Sequence, residues 1–236
     1  MCGRFALGAA AEDVAAYFDA TPLPDALAPA PSWNIAPTTW VQAITKSEGR
    51  TSQEKNRVIQ LMRWGFLPVW AKSLDAKPQP INARAEGARD KRMFGTAVKR
   101  YRCLIPASGW YEWRSAGREK LPHYFHALDD SMLSFAAIHS RWTQGGESLI
   151  DSFAILTTAA AKHIDEVHDR MPVLIAAADR DDWLDPNSPT NEIDDIMSPG
   201  RVHESAAIMD SYAVSKSVNK AGRNGPDLIT PLNTLF

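Results

Sequence analysis

Cysteine is scarce in this chain: Cys2 and Cys103 are the only two in 236 residues. With no CxxC or CxxH spacing, they make neither a disulfide framework nor a zinc site. No apolar run approaches the ~20 residues needed to span a bilayer, and no cationic stretch leads into an apolar one as in a secretory signal. The expected compartment is a reducing cytoplasm, where a free thiol persists. Net charge is small as well, formally −2, which excludes a globally basic nucleic-acid binder. Internal repeats are missing, and so is the βαβ rhythm of a parallel sheet.

What is present is an ordinary globular composition, 44% hydrophobic and 23% charged, in a chain long enough to bury a core without covalent staples. Charge is unevenly placed. From Arg84 to Arg102 seven basic residues face only Glu86 and Asp90; from Asp179 to Asp195 seven acidic residues face only Arg180. The first run reads either as a local phosphate-binding patch with an acidic back or as solvated helix faces. No function attaches to the acidic run.

Periodicity predicts a short helix over "AAEDVAAYF" and strands over "WVQAITK" and "RVIQLMRWGF". "TPLPDALAPAPSW" reads as a loop and "AEGARDKRMFGTAVKR" as a helix. Five strand-like runs follow: "RCLIP", "GWYEWRSAG", "LPHYFHAL", "SMLSFAAIHSRW" and "LIDSFAILTTAA". Two short helices, a late strand in "SYAVSKSV" and an irregular tail over 219–236 complete the pattern. Many strands with few helices predict an α+β fold around antiparallel sheet, barrel-like, in a single domain over 1–236.

Cys2 follows the initiator methionine directly. Once Met1 leaves, the chain starts with an amine and a thiol on adjacent carbons, with reference pKa values of about 7.7–8.0 and about 8.5. A 1,2-aminothiol condenses with an aldehyde to an imine, and the thiol then closes a thiazolidine ring. Alternatively the thiol attacks a carbonyl with the amine as base. Alone, Cys2 also reads as an incidental small residue. "INARAE" places Asn82, Arg84 and Glu86 in alternation, pointing one way if extended. "SGWYEW" sets Glu112 among Trp110, Tyr111 and Trp113, where desolvation raises a carboxyl pKa toward that of a general acid; a solvent-facing strand glutamate is the alternative. "HDRMP" puts His168 and Arg170 two apart, a candidate proton shuttle beside a candidate phosphate contact. Arg4, Arg84 and Arg170 suit a phosphate backbone. Among the eight tryptophans, Trp33, Trp64, Trp70, Trp110 and Trp113 are candidates for base stacking, one or two of them expected to be exposed.

Taken together, "MCGRF", "WNIAPT", "MRWGFLPVWAK", "INARAE", "RCLIPASGWYEW", "TTAAAKHIDEVHDRMPV" and "AVSKSVN" resemble, in order from Cys2 to about Asn219, the SOS-response-associated peptidase (SRAP) family of abasic-site processing proteins. The resemblance implies a β-barrel-like domain with a positively charged channel for single-stranded DNA. Its mature N-terminal cysteine, here Cys2, would form a thiazolidine with the aldehyde of an abasic site, after autoproteolytic or aminopeptidase removal of Met1. It carries catalytic roles to Cys2, Asn82, Glu112 and His168, and DNA contacts to Arg4, Trp70, Arg84, Trp113 and Arg170. It calls for no metal and no cofactor. The implied partners are single-stranded DNA with abasic sites and proteins of the replication fork. The chain would act as a monomer, off the membrane, in the cytoplasm and on the nucleoid. His139 stands where the family often carries tryptophan. Two other readings stay open: an N-terminal-nucleophile amidohydrolase resembling class II glutamine amidotransferases, and a non-covalent single-strand-binding module.

Overall fold

The computed structural model describes residues 2–47, 56–144 and 148–232. The chain enters through β1 (Phe5–Leu7), α1 (Ala11–Tyr17) and β2 (Ala20–Pro22), then β3 (Ser32–Ile35), β4 (Trp40–Lys46) and β5 (Arg57–Trp64). Next come β6 (Asn82–Arg84), the single turn α2 (Ala85–Ala88) and α3 (Gly95–Arg100). The long strands β7 (Arg102–Ala107), β8 (Gly109–Ala116), β9 (Glu119–Ala127), β10 (Leu133–Gln144) and β11 (Ser148–Ala159) form the middle. Then follow α4 (Lys162–Asp165), β12 (Arg170–Pro172), α5 (Arg180–Leu184), α6 (Thr190–Ile196), α7 (Pro199–Ser205) and β13 (Met209–Ala213).

The α+β expectation with a barrel core is met. Strands β11, β10, β7, β4 and β5 pair antiparallel in that order, and β5 closes the ring by running parallel to β11 at Ser152↔Arg63 and Phe153↔Trp64. Every residue of β7, RCLIPA, is buried, as a strand with covered faces on both sides requires. Strand β11 also carries β6 in parallel, with Asn82 opposite Ile155, and β12 antiparallel, with Arg170 opposite Ala159. A second sheet, β13-β9-β8-β1-β3, is antiparallel throughout.

Aromatic side chains join the two sheets. Phe5 of β1 meets Trp64 of β5 edge-on at 5.2 Å and Phe135 of β10 at 6.0 Å, and Trp110 of β8 meets Phe135 at 6.0 Å. All four are fully buried, so the core runs from the barrel into the second sheet, with Cys2 in the same cluster.

Several local expectations change. The run 85–100 is not one helix but α2 and α3 separated by a turn. Gly95 sits so close to the Arg89 carbonyl that any Cβ there would collide with it, which fixes the chain path between the two. The loop "TPLPDALAPAPSW" holds β2, a 3-10 turn at Pro24–Leu27 and the start of β3. In "SYAVSKSV" the strand ends at Ala213 and a 3-10 turn, Lys216–Asn219, begins. The acidic run 179–195 now has a structural role. Asp181 pairs with Arg57, Asp185 with Lys46, Asp194 with Arg89 and Asp179 with Arg201. It therefore lies against basic residues of other elements instead of forming a separate acidic back.

Candidate active site

Strand β1 positions Cys2. Its antiparallel register with β8 sets Phe5 opposite Trp110, and Tyr111 donates its backbone N–H to Arg4 O at 3.0 Å. Continued by two residues, that register brings the chain start alongside Glu112. Cys2 is 0% exposed. Its carbonyl oxygen accepts a 2.8 Å hydrogen bond from Asn82 Nδ2. Burial, and then the neighbouring Glu112 carboxyl, push the Cys2 thiol well above its ordinary range, against a smaller pull from the Arg4 backbone N–H. The useful thiolate fraction expected from reference values is therefore absent in this state: the thiol is held protonated.

Glu112 is 2% exposed on the core-facing side of β8, which disposes of the solvent-facing alternative. Burial raises its pKa to about 7. His168 lies between α4 and β12, with Nε2 at 3.8 Å from Glu112 Oε2, beyond direct hydrogen-bond distance but within electrostatic reach. Burial lowers the His168 pKa, so the ring is neutral at physiological pH. The Arg170 backbone N–H donates to His168 Nδ1 at 3.0 Å, which assigns the proton to Nε2, facing Glu112. The Asp169 carboxylate is also 3.0 Å from Nδ1. That contact is not a hydrogen bond, since Nδ1 already acts as the acceptor.

The four catalytic candidates thus come together: Asn82 bonds Cys2, Glu112 couples to the Cys2 thiol, and His168 faces Glu112. The DNA candidates divide. Arg84 is exposed and has no acidic partner among the described residues. Trp70 is 56% exposed. Trp113 is half-buried, its indole N–H donating to Asn219 Oδ1 at 2.8 Å. Arg170 forms a two-pronged pair with Glu86, 2.7 and 2.9 Å, and also donates to Thr157 O. Glu86 does not extend in line with Asn82 and Arg84: β6 ends at Arg84 and Glu86 belongs to α2, where Arg170 first of all lowers its pKa. Arg4 donates from Nη1 to Asn34 Oδ1 at 2.7 Å and to Val218 O at 3.0 Å. The Asn34 amide holds the carbonyls of Val218, Lys220 and Arg223. In this state Arg4 thus fastens the C-terminal segment to β1 and β3. Of the other tryptophans, Trp64 and Trp110 are core and Trp33 is half-buried.

One neighbour escaped sequence reasoning. His123 on β9 pairs directly opposite Glu112, so both side chains share one face of the sheet. Both ring nitrogens are buried without a partner among the described residues; burial, then Arg114, lowers the pKa. Only the alternation of "LPHYFHAL" hinted at it. Met1 lies outside the described residues. Among the described residues no group of three or more His, Cys, Asp or Glu is placed to hold a metal ion, and no helix is long and apolar enough to cross a membrane.

The comparisons with known proteins agree in direction. A family model described as SOS response associated peptidase (SRAP) matches residues 1–221. A Bacillus subtilis protein named abasic site processing protein YoaM is 31% identical over 235 residues, covering 99% of each chain. The Escherichia coli abasic site processing protein YedK is 29% identical over 235 residues, covering 98% of this chain and all of that one. A crystal structure of a protein from Bacteroides thetaiotaomicron, 24% identical, superposes with a TM-score of 0.84 over 98% of this chain and all of the other, a likeness of fold. With a family match that runs from the Cys2 strand through the segment held by Asn34, this chain belongs to the SRAP family.

Proposed function

We propose that this protein captures abasic sites in single-stranded DNA as a covalent thiazolidine on Cys2. The observation that carries the reading is geometric: the buried Cys2, its carbonyl held by Asn82 at 2.8 Å, shares its pocket with the buried Glu112, which His168 faces at 3.8 Å. The names of the relatives, abasic site processing proteins, supply the substrate class.

With Met1 attached, the Cys2 nitrogen is an amide and cannot condense. Hydrolysis of the Met1–Cys2 bond, by the chain itself or by an aminopeptidase, exposes the amine. That amine adds to the C1 aldehyde of the ring-opened deoxyribose. The carbinolamine then loses its hydroxyl as water, taking the Glu112 proton, and the C=N bond forms. Cys2 Sγ attacks the imine carbon. The thiol proton passes to the Glu112 carboxylate, the C–S bond closes the ring, and the C=N electron pair returns to the ring nitrogen, which keeps the one proton left from the amine. One water is released and no oxidant is needed. The neutral His168, with its proton on Nε2 toward Glu112, would carry the reverse transfer in ring opening. Arg84 and Trp70 would hold the strand by charge and stacking.

The test is intact mass of the purified protein before and after exposure to abasic single-stranded DNA, with a denaturing gel in parallel. Expected are a chain lacking Met1 and an adduct heavier by the oligonucleotide less one water, absent in Cys2→Ala. A wild type that yields no adduct under these conditions sinks the reading.

A further inference from the structure

Strand β8 lies between β1 and β9, so Glu112 has the chain start with Cys2 on one side and His123, its antiparallel partner on β9, on the other. Such a pair sets its Cβ atoms about 4.5–5.5 Å apart on one face, within reach of an imidazole and a carboxyl. His123 is only half-buried, yet both of its ring nitrogens are shut off from solvent and have no partner among the described residues. The ring thus turns its polar edge inward and its carbon edge out. That costs free energy, a cost that proteins keep chiefly where function needs the group. No proton transfer of the thiazolidine chemistry passes through it. From β8, Glu112 and Arg114 face the ring; burial first, and then Arg114, disfavour its charged form. From β13, Ala213 lies opposite and Ser211 is next on that face, neither of them charged. His123 is therefore a neutral imidazole, a donor on one nitrogen and an acceptor on the other. Glu112 in turn is faced by the Cys2 thiol and by His168 and Asp169.

We infer that His123 is a positioning residue for Glu112, donating a ring N–H to the carboxylate during the interval in which Glu112 has given up its proton. The inference rests on the reading under Proposed function, where Glu112 is ionised between the loss of water from the carbinolamine and the uptake of the thiol proton. In the resting state His123 makes no hydrogen bond to it among the described residues. Ionisation creates a charged acceptor that is 2% exposed, and a buried charge without added donors is strongly disfavoured. A neutral N–H on the same face of the sheet is placed to meet it. His168 approaches Oε2, and a carboxylate accepts several donors at once. The two histidines therefore serve the same group from different sides. No proton changes hands at His123: the ring donates a hydrogen bond and stays neutral, so the balance of the reaction is unaltered.

The experiment compares wild type with His123→Phe, which keeps a ring but has no donor, and with His123→Gln and His123→Asn, which carry an amide N–H near the places of Nε2 and Nδ1. Two readouts are taken: the rate of adduct formation on abasic single-stranded DNA against pH, and the titration of the Glu112 carboxyl by carbon-13 NMR without DNA. Loss of the donor leaves the carboxylate worse solvated. In His123→Phe the Glu112 midpoint should therefore rise by about half a unit or more, and the alkaline limb of the rate profile should move up with it, since Glu112 acts as the acid. The maximal rate should fall by about tenfold. At least one amide variant should restore the midpoint and bring the rate to within about threefold of wild type. His123→Phe with a wild-type midpoint or a wild-type rate overturns the inference. So does a loss that neither amide variant restores, because packing of the ring then accounts for it. A wild type that forms no adduct sinks the reading at Cys2. The Glu112 midpoint then decides for His123: a rise in His123→Phe that an amide variant reverses upholds the pairing, and an unmoved midpoint overturns it.

Discussion

At the scale of single residues, Glu112 links the site's chemistry to its stability. Its folded-state pKa of about 7, against an ordinary 4.5, means that the folded chain keeps a proton the unfolded chain loses between those pH values. Stability therefore falls as pH rises from about 4.5 to 7 and levels off above, by on the order of 3 kcal/mol. Glu112→Gln cannot ionise, so it should melt with wild type near pH 4 and clearly above it near pH 8. Thermal unfolding at the two pH values checks this; a wild-type advantage near pH 8 contradicts it. The same variant should crosslink about a hundredfold or more slower, read by quenched gel time courses. His123 offers a complementary case. Two buried imidazole nitrogens without partners among the described residues cost free energy that a ring of similar shape avoids. His123→Phe should raise stability by about 1–2 kcal/mol in urea unfolding, and a loss there would show that the ring is satisfied in solution. The raised carboxyl was legible in the sequence because aromatic neighbours flank it. The opposing histidine was not, because cross-strand partners depend on the register of a hairpin, not on the letters beside Glu112.

Elements explain what else the letters concealed. The long strands announced themselves by alternation, but β6 and β12 are three residues each, shorter than any period can reveal, and they carry Asn82 and Arg170. Glu86 follows a strand that stops at Arg84; Ala, Glu and Arg are good helix formers, so the chain coils there and hands Glu86 to Arg170. Arg4 illustrates the same limit over distance, since its partner Val218 lies 214 positions away. The Arg4 and Asn34 hydrogen bonds make the 218–223 segment dependent on β3. Asn34→Ala should raise amide exchange across 216–230 by at least tenfold while β7 and β10 keep their protection, because three hydrogen bonds are lost together at about 0.5–1.5 kcal/mol each. Uniform exchange across the molecule would instead mean that Asn34 supports the whole fold. Phe5, wedged between Trp64 and Phe135, bridges the two sheets; Phe5→Ala should cost about 3–5 kcal/mol by denaturant unfolding. A loss below about 1 kcal/mol would mean that the sheets hold together without it.

For the whole molecule, the near-neutral net charge hides a separation that only the fold makes plain. Most of the acidic run 179–195 is spent on Arg57, Lys46, Arg89 and Arg201, which leaves Arg84, Arg92, Lys99 and Arg100 to face solvent. The chain order showed both runs but not that they meet. Arg84→Ala should accordingly weaken single-strand binding and lower the log–log salt slope by about 0.7, measured by anisotropy titration; an unaltered slope places Arg84 away from the strand. Closure of the barrel by β5 on β11 was equally out of reach, because a parallel seam between distant strands leaves no local trace. Burial of both thiols has a practical consequence. Cys2 and Cys103 are each shut in the core with pKa values raised by desolvation. For Cys103, which takes no part in the chemistry, neither air oxidation nor an alkylating reagent finds a thiolate in the folded state, so in Cys2→Ala the onset of Ellman's colour marks unfolding.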